Sequence, residues 1–440
     1  MGAAILCETR DMKEGNPSPL PPLYAEWFDG LLGGPIPSET RATCNDCAMC
    51  DSSGVDTSRA SFFDPQSKCC TYLPYLPNYL VGMILKDDDP AMARGRATVE
   101  QRLDAGLAVT PRGLEWPLKT RSQYTQVEPR AFGRAQSFRC PHYLNEQGGM
   151  CGIWKYRNSV CSTWFCKYVR GSVGRNFWEK TKQLLLSVEK ELAGWCALEL
   201  NLDESALWPL LKPILLPGQV AKLKLEDVEE KVDPKEQRKL WANWYGRERE
   251  FYRGCADVMR GLSWADVLSI CSPEVQVRAR ILRKAYDQLI SEEIPKRLRT
   301  GSFAVTGVSA GFYDVYHPEI GLDRFQMSER VMRLLPYFDG RATNEIVDQI
   351  ISRENLRFTP ELIRRLLDFK ILAGVEEDQT NGFDLKGEIQ MSREDSDIDD
   401  EANEHDELQI SDLETKEELT GGSVVIHKST DVTLKRGVID

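Results

Sequence analysis

Nine of the 13 cysteines in this 440-residue chain lie between positions 44 and 166, and this crowding constrains the fold more than any other feature. In a short secreted chain such a density would indicate disulfides. This chain is long enough for two or three domains, and its 41% hydrophobic residues can build a core. Its N-terminal apolar run is too short for an export signal. We therefore expect a metal or cluster site.

The spacing of the first five cysteines in this array suits metal coordination. Cys44, Cys47 and Cys50 follow one another at intervals of three residues, so a tight loop can direct several sulfurs at one centre. Cys69 and Cys70 are adjacent, and in a strand their side chains would point to opposite faces. Such a pair suits ligands of two different metals, or of one metal at a distorted turn.

The second half of the array combines four cysteines with a leucine, an isoleucine and an arginine at set positions. These residues are Cys140, Leu144, Cys151, Ile153, Arg157, Cys161 and Cys166. The pattern resembles the YkgJ-type cysteine-cluster family, a zinc- or iron-chelating domain that also occurs in flagellin lysine N-methylases. The resemblance covers residues 40–175 and implies metal binding. It also implies S-adenosylmethionine as a methyl donor, for which the residues themselves give no independent sign.

Iron–sulfur clusters and zinc both accept four thiolates. Zinc favours paired Cys-x2-Cys knuckles, and only the first three cysteines of the array have that spacing. The gaps between the last four are wider and suit a cluster, so we expect iron–sulfur ahead of zinc. Nine thiols are an odd number for two four-ligand centres. Either one is a bystander or His142 joins a different combination, although we expect His142 to hydrogen-bond beside the centre.

A shorter motif follows the array. Residues 170–175 combine glycines and arginines directly before a predicted helix. Backbone N–H groups at a helix N-terminus can bind an anion. An ordinary connecting loop is the alternative.

The predicted fold class is α+β, mainly helical, and changes of pattern divide the chain. The expected regions are an extended proline-rich lead-in over 1–39, an irregular cysteine-rich metal domain over 40–175, a helical region over 176–300, a small winged-helix-like module over 301–376 and an acidic, largely disordered tail over 377–440. In the helical region, Pro234 and Pro273 suit first turns of helices. Cys196, Cys255 and Cys271 are expected to be buried as small apolar side chains.

The module over 301–376 begins with β segments and continues with three short helices, which Ser328, Thr343 and Thr359 are expected to cap. The residues 334–343 and 366–372 follow the order helix, Asp-Gly, helix, helix, Ile-Leu. This order resembles the PqqD-type winged-helix modules that bind leader peptides. The resemblance implies a protein or peptide partner.

The net charge of −12 belongs to the tail. Segment 376–419 holds 18 acidic residues against three basic ones, so it carries −15 and the rest of the chain is nearly neutral. The chain lacks the basic excess of a duplex-binding protein, and we expect no nucleic-acid partner. No stretch approaches the length of a membrane span, which favours a cytoplasmic protein without a membrane partner.

Two functions agree with these patterns. In the first, a metal or iron–sulfur protein acts on or recruits a protein or peptide, with a methylase-like or peptide-maturation reaction implied by the resemblances. In the second, a non-enzymatic interaction protein carries a structural zinc site. Whether the chain is an enzyme stays open at this point.

Overall fold

The computed structural model describes residues 19–37, 39, 47, 50, 63–127, 131–146, 149–165, 168–211, 232–309, 311–317 and 325–375. These residues form two compact units, one ending at Glu293 and one beginning at Ile294. The class is α+β with a majority of helix, as predicted. The predicted ligands Cys44 and Cys166 and the tail predicted over 377–440 lie outside the described residues.

The first unit is built mainly from helices. They are α1 Pro22–Leu32, α2 Asn78–Lys86, α3 Ala93–Ala105, α4 Leu118–Val127, α5 Ser159–Ser162, α6 Gly171–Glu199, α7 Glu204–Leu211, α8 Pro234–Trp241, α9 Glu248–Val258, α10 Trp264–Ile270 and α11 Pro273–Ile290. Its short strands are β1 Leu76–Pro77, β2 Val109–Thr110, β3 Gly113–Leu114, β4 Tyr143–Leu144 and β5 Met150–Cys151. Strands β4 and β5 form an antiparallel hairpin, and β1, β3 and β2 form a small sheet in that order.

A single hydrophobic core holds this unit together. The longest helix, α6, buries apolar side chains at helical spacing and packs against α11, while α2 packs against α9. Described residues from both the predicted cysteine domain and the predicted helical region contribute to this core. Cys196 and Cys255 are fully buried in it and Cys271 lies at its edge, which confirms their predicted packing role.

The lead-in predicted as extended over 1–39 contains helix α1, so that expectation is wrong for Pro22–Leu32. The prolines favoured the extended prediction, but Pro22 occupies the first helical turn, where a missing N–H costs nothing. Tyr24, Trp27 and Phe28 are buried on the face that packs against α10 and α11. Burial of three aromatic side chains therefore outweighs the extended preference of the prolines.

The second unit contains two three-stranded antiparallel sheets and short helices. Its strands are β6 Arg297–Thr300, β7 Ala304–Ser309, β8 Phe312–Tyr316, β9 Phe325–Ser328, β10 Asp339–Ala342 and β11 Leu372–Gly374, and its helices are α12 Glu329–Met332, α13 Thr343–Glu354 and α14 Pro360–Asp368. One sheet has the order β10–β6–β11 and the other β7–β8–β9. Buried residues such as Leu298, Ile350 and Leu366 form a separate core.

Two of the three predicted helix caps are confirmed. Ser328 and Thr359 accept hydrogen bonds from the N–H groups of Val331 and Leu362 at the starts of α12 and α14. The cap predicted at Thr343 is wrong, because Thr343 is the first residue of α13 and its hydroxyl donates to the carbonyl of Pro295 at 2.7 Å. That long-range bond anchors the helix to the chain before β6.

Within the described ranges, no helix has both the length and the apolar composition that a membrane span needs.

Candidate metal centre

The structure describes seven of the nine predicted ligands, and they come from three separate stretches of the chain. They are Cys47, Cys50, Cys69, Cys70, Cys140, Cys151 and Cys161. Each has a free thiol. The other two predicted ligands, Cys44 and Cys166, lie outside the described residues.

Two long-range hydrogen bonds join the first half of the array to the second. The backbone N–H of Cys140 donates to the carbonyl of Cys70 at 2.7 Å. The ammonium of Lys68, in the turn just before the vicinal cysteines, donates to the carbonyl of Gly149 at 3.3 Å. The turn with Cys69 and Cys70 therefore lies against the β4–β5 hairpin with Cys151.

The thiols of the first half form neighbouring pairs. The backbone N–H of Cys50 donates to the carbonyl of Cys47 at 3.0 Å, which closes a tight turn between the two. Burial, followed by the adjacent Cys47 thiol, raises the pKa of Cys50 to about 12. A hydrogen bond with the Cys70 side chain, followed by burial, holds the pKa of Cys69 well above its usual range.

The thiols of the second half influence one another in the same way. Burial is the main cause that raises the pKa values of Cys140 and Cys161, and Cys151 adds to both. Cys69 also contributes at Cys161, which places the two halves within electrostatic reach. Ionising one of these thiols beside a neighbour that is already a thiolate would place two negative charges close together, which is unfavourable. A bound metal cation reverses that situation, because it favours the thiolate form.

Within the described residues, no three His, Cys, Asp or Glu side chains already stand in an arrangement that could hold a metal ion. Four of the thiols, those of Cys50, Cys69, Cys140 and Cys161, instead have raised pKa values, which favour their protonated forms. A metal ion bound there would have to displace their protons and draw the thiols together, so its affinity would depend on pH and on local rearrangement. The donor set fits a thiolate-rich centre in its chemistry, since sulfur ligands suit both zinc and iron–sulfur clusters.

Helix α3 packs against the β4–β5 hairpin, in the second half of the array. Gly95 approaches the hairpin so closely that a Cβ there would lie 1.8 Å from the carbonyl oxygen of Gly152. One turn later, the hydroxyl of Thr98 lies 2.7 Å from Nδ1 of His142. Glycine at position 95 thus allows the backbone contact that brings the hairpin onto the helix.

The side chain of His142 is fully buried in this contact. The Thr98 hydroxyl donates to the carbonyl of Gly95 at 2.6 Å, so it accepts from Nδ1–H of His142, and Nε2 carries the lone pair. Burial lowers the pKa of His142 to about 3, and the ring is therefore neutral. The predicted hydrogen-bonding role is confirmed for Nδ1, while Nε2 has no partner among the described residues.

Arg157 of the sequence motif and the next residue, Asn158, hold the turn that contains Cys161. The side chain of Asn158 caps α5 by accepting from the N–H of Cys161 at 3.1 Å. Arg157 donates to the carbonyl of Cys161 at 3.0 Å, and its guanidinium lies 3.5 Å from the ring centre of Trp154. The motif arginine therefore fixes the backbone around a predicted ligand.

Glu189 is a residue of this region that sequence reasoning missed. Its buried carboxylate accepts from the backbone N–H and from the hydroxyl of Ser159, both at 2.6 Å, and from the hydroxyl of Tyr24. It therefore ties α6 and α1 to the start of α5, two residues before Cys161. Glu189 lies in the charged sequence Val188-Glu189-Lys190-Glu191, which looks like a solvated helix face. The one sequence signal of its burial is that Glu189 lies four residues after Leu185 and three before Leu192, on the same buried face of the helix.

The environment of Glu189 makes stability depend on pH. Burial raises its pKa from 4.5 to about 7, although hydrogen bonds from Ser159 and Tyr24 oppose the shift. The folded state binds the extra proton between these two values, so this contribution to stability is present below pH 4.5 and is lost as pH rises to 7. In Glu189→Gln the side chain cannot titrate. We expect the unfolding free energy of the wild type, minus that of the variant, to fall by roughly 2–3 kcal/mol from pH 5 to pH 8 in urea titrations. A difference independent of pH would contradict the burial of this carboxyl group.

The anion site predicted at residues 170–175 stays a prediction, but the carboxylate of Glu39 lies beside this segment. The carboxylate of Glu39 accepts from the backbone N–H of Val169 and from the indole N–H of Trp178, both at 2.8 Å. These donors flank the start of α6, where a negative charge is favourable. Glu39 therefore attaches the segment before the first cysteines to the segment after the last one.

No protein-family model matches this chain, and neither does any curated protein or solved structure.

Proposed function

We propose that this chain is a metalloprotein in which the cysteine array binds iron–sulfur clusters and a separate module recruits a protein or peptide. The nine thiols from Cys44 to Cys166 are the proposed ligands, and the resemblance to YkgJ-type proteins agrees with them. An iron–sulfur centre would supply one-electron transfer. The chain's own residues bury Cys140, partly bury the other described thiols of the array and set their spacing. A methyl-transfer reaction with S-adenosylmethionine rests on the resemblance alone.

One observation carries the proposal. Thiols from three separate stretches of the sequence lie near one another: the N–H of Cys140 donates to the carbonyl of Cys70, Cys69 raises the pKa of Cys161, and Cys47 raises the pKa of Cys69. Cys196 and Cys255 also lie next to each other, but both are fully buried in the core, whereas Cys47, Cys50 and Cys151 are partly exposed. Reduced thiols in this number also suit a reducing compartment such as the cytoplasm.

The second unit supplies a surface for the proposed peptide. A groove of about 760 Å³ is lined by apolar side chains, among them Ile294, Val347, Phe358 and Ile363. Lys296 and Arg297 add positive charge at its wall. An open groove beside the edge strand β10 suits an extended peptide, which agrees with the winged-helix resemblance.

A non-enzymatic interaction protein with structural zinc is the second candidate. It is favoured by the tight Cys47–Cys50 turn, which has the spacing of a zinc knuckle. In this case the metal would act only by stabilising the fold.

Metal analysis after anaerobic purification separates the two candidates. We expect a brown protein with acid-labile sulfide and about four to eight irons per chain, as four-iron clusters with cysteine ligands require. A colourless protein with stoichiometric zinc, which unfolds when a chelator removes the metal, would instead establish the structural site.

A further inference from the structure

The end of strand β11 lies against the wall of the apolar groove in the second unit. The backbone N–H of Val375, the residue after this strand, donates to the carbonyl of Arg297 at 3.0 Å. A Cβ on the preceding Gly374 would lie 3.0 Å from the ring of Pro295. Pro295 and Arg297 both line the groove. The chain therefore passes the groove directly before the C-terminal acidic segment begins.

The groove combines apolar surface with positive charge. Ile294 and Val347 line it and are only partly buried, so they present apolar surface to an occupant. Lys296 and Arg297 are exposed on the wall, and Asp348 is the single acidic residue of the lining, which leaves a net charge of +1. An apolar segment with acidic neighbours is complementary to such a groove.

The sequence directly after Val375 has this complementary composition. Residues 376–385 contain four acidic residues and no basic one. Phe383 and Leu385 are two positions apart, so their side chains would point to the same side of an extended segment. The stretch from Val375 to Phe383 can span up to about 26 Å, which is long enough to turn back over the groove.

The short connection favours this segment over later parts of the tail. A segment held by a short linker has an effective concentration in the millimolar range. At about 1 mM, a Kd of about 100 µM leaves the groove occupied in roughly nine of ten molecules. The apolar run Val424–Ile426 lies about 50 residues beyond Val375, and its longer linker lowers its effective concentration.

We propose that segment 376–385 occupies the groove of its own molecule. Phe383 and Leu385 lie against the apolar lining, and the acidic residues lie near Lys296 and Arg297. This inference rests on the proposed function, because it takes the groove to be a peptide site, and it adds the regulation of that site. A peptide partner must displace the segment, so its apparent affinity is reduced by the fraction of molecules with an open groove.

Binding of a fluorescein-labelled peptide with the sequence of residues 376–388 to the full chain tests this assignment. Phe383→Ser/Leu385→Ser removes the apolar side chains of the chain's own segment and opens the groove to the added peptide. We expect fluorescence anisotropy to give a Kd about tenfold lower for this variant than for the wild type, as nine-tenths occupancy requires.

Two further variants locate the effect. Val424→Ser/Ile426→Ser removes apolar side chains elsewhere in the tail, and we expect it to bind the peptide like the wild type. Lys296→Glu, added to the Phe383→Ser/Leu385→Ser chain, reverses an exposed charge of the groove without touching the core. We expect it to weaken peptide binding about threefold.

Each result supports or overturns the assignment. Equal affinities in the wild type and both serine variants overturn it while leaving the peptide groove in place. A gain in Val424→Ser/Ile426→Ser, or no effect of Lys296→Glu, also overturns it. A tenfold difference that disappears on dilution shows that a second copy fills the groove, which contradicts docking within one molecule. If no chain binds the peptide, the proposed peptide groove itself fails. The metal content of the same samples reports separately on the proposed metal centre.

Discussion

Replacing Cys161 with serine is expected to remove at least half of the bound metal from the purified protein. Serine keeps the size of the side chain but is a poorer ligand than a thiolate for zinc or iron. The surrounding turn would survive the change, because Asn158 and Arg157 bond to the backbone of residue 161 rather than to its sulfur. Loss of a metal present at 100 times its dissociation constant also lowers the unfolding free energy by about 2.7 kcal/mol. Elemental analysis and urea unfolding measure the two effects.

Cys271→Ser is the matched control for this substitution. It is the same chemical change at a buried thiol that neighbours Glu191, at the end of α10, and it belongs to none of the predicted ligand groups. We expect full metal content in this variant. Equal metal loss in the two serine variants would show that the ligand assignment is wrong.

Gly95→Ala is expected to displace the β4–β5 hairpin from α3. The carbon of the new methyl group would lie 1.8 Å from the carbonyl oxygen of Gly152. The backbone fixes the positions of both atoms, so no side-chain rotation relieves the overlap. Separation would also stretch the bond between Thr98 and His142. We expect a loss of about 3 kcal/mol in unfolding free energy and a lower metal content, because Cys140 and Cys151 lie on the displaced segment.

Gly194→Ala provides the comparison. Position 194 lies inside α6, and a Cβ there would have no atom within 4 Å. In an open helical position alanine is more favourable than glycine by about 0.5–1 kcal/mol, so this variant should gain stability and keep its metal. If both alanine variants behaved alike, close contact between α3 and the hairpin would be refuted.

Local chemistry explains which parts of the fold could be predicted. Pro234 and Pro273 open helices because a proline in the first turn loses no hydrogen bond, and the structure starts α8 and α11 at these residues. Ser328 and Thr359 are caps for a similarly local reason. Thr343 failed as a cap because its hydroxyl bonds to Pro295, a contact that depends on how β6 and α13 pack.

The candidate site also contains some residues that local sequence patterns identified and others that depend on long-range contacts. Cysteine spacing predicted a metal site, which stays a prediction, whereas Arg157 of the motif and the neighbouring Asn158 bond to the backbone of Cys161. Glu189 and Glu39 could not be found in this way. Each acts on a segment far from it in sequence, and each lies among charged or polar neighbours that resemble an exposed surface. Long-range hydrogen bonds to buried charges have no periodic signal in a sequence.

Alkylation of individual cysteines, read by mass spectrometry, tests most directly whether the array holds metal. The full chain is labelled anaerobically as purified and again after chelation. Cys47 and Cys50 are only half-buried, so burial alone does not protect them. We predict that they and the other described thiols of the array are protected as purified and are labelled after metal removal. Cys196 and Cys255 should stay unlabelled in both samples, because the core around them remains folded. Identical labelling of Cys47 and Cys50 before and after chelation would contradict the metal centre.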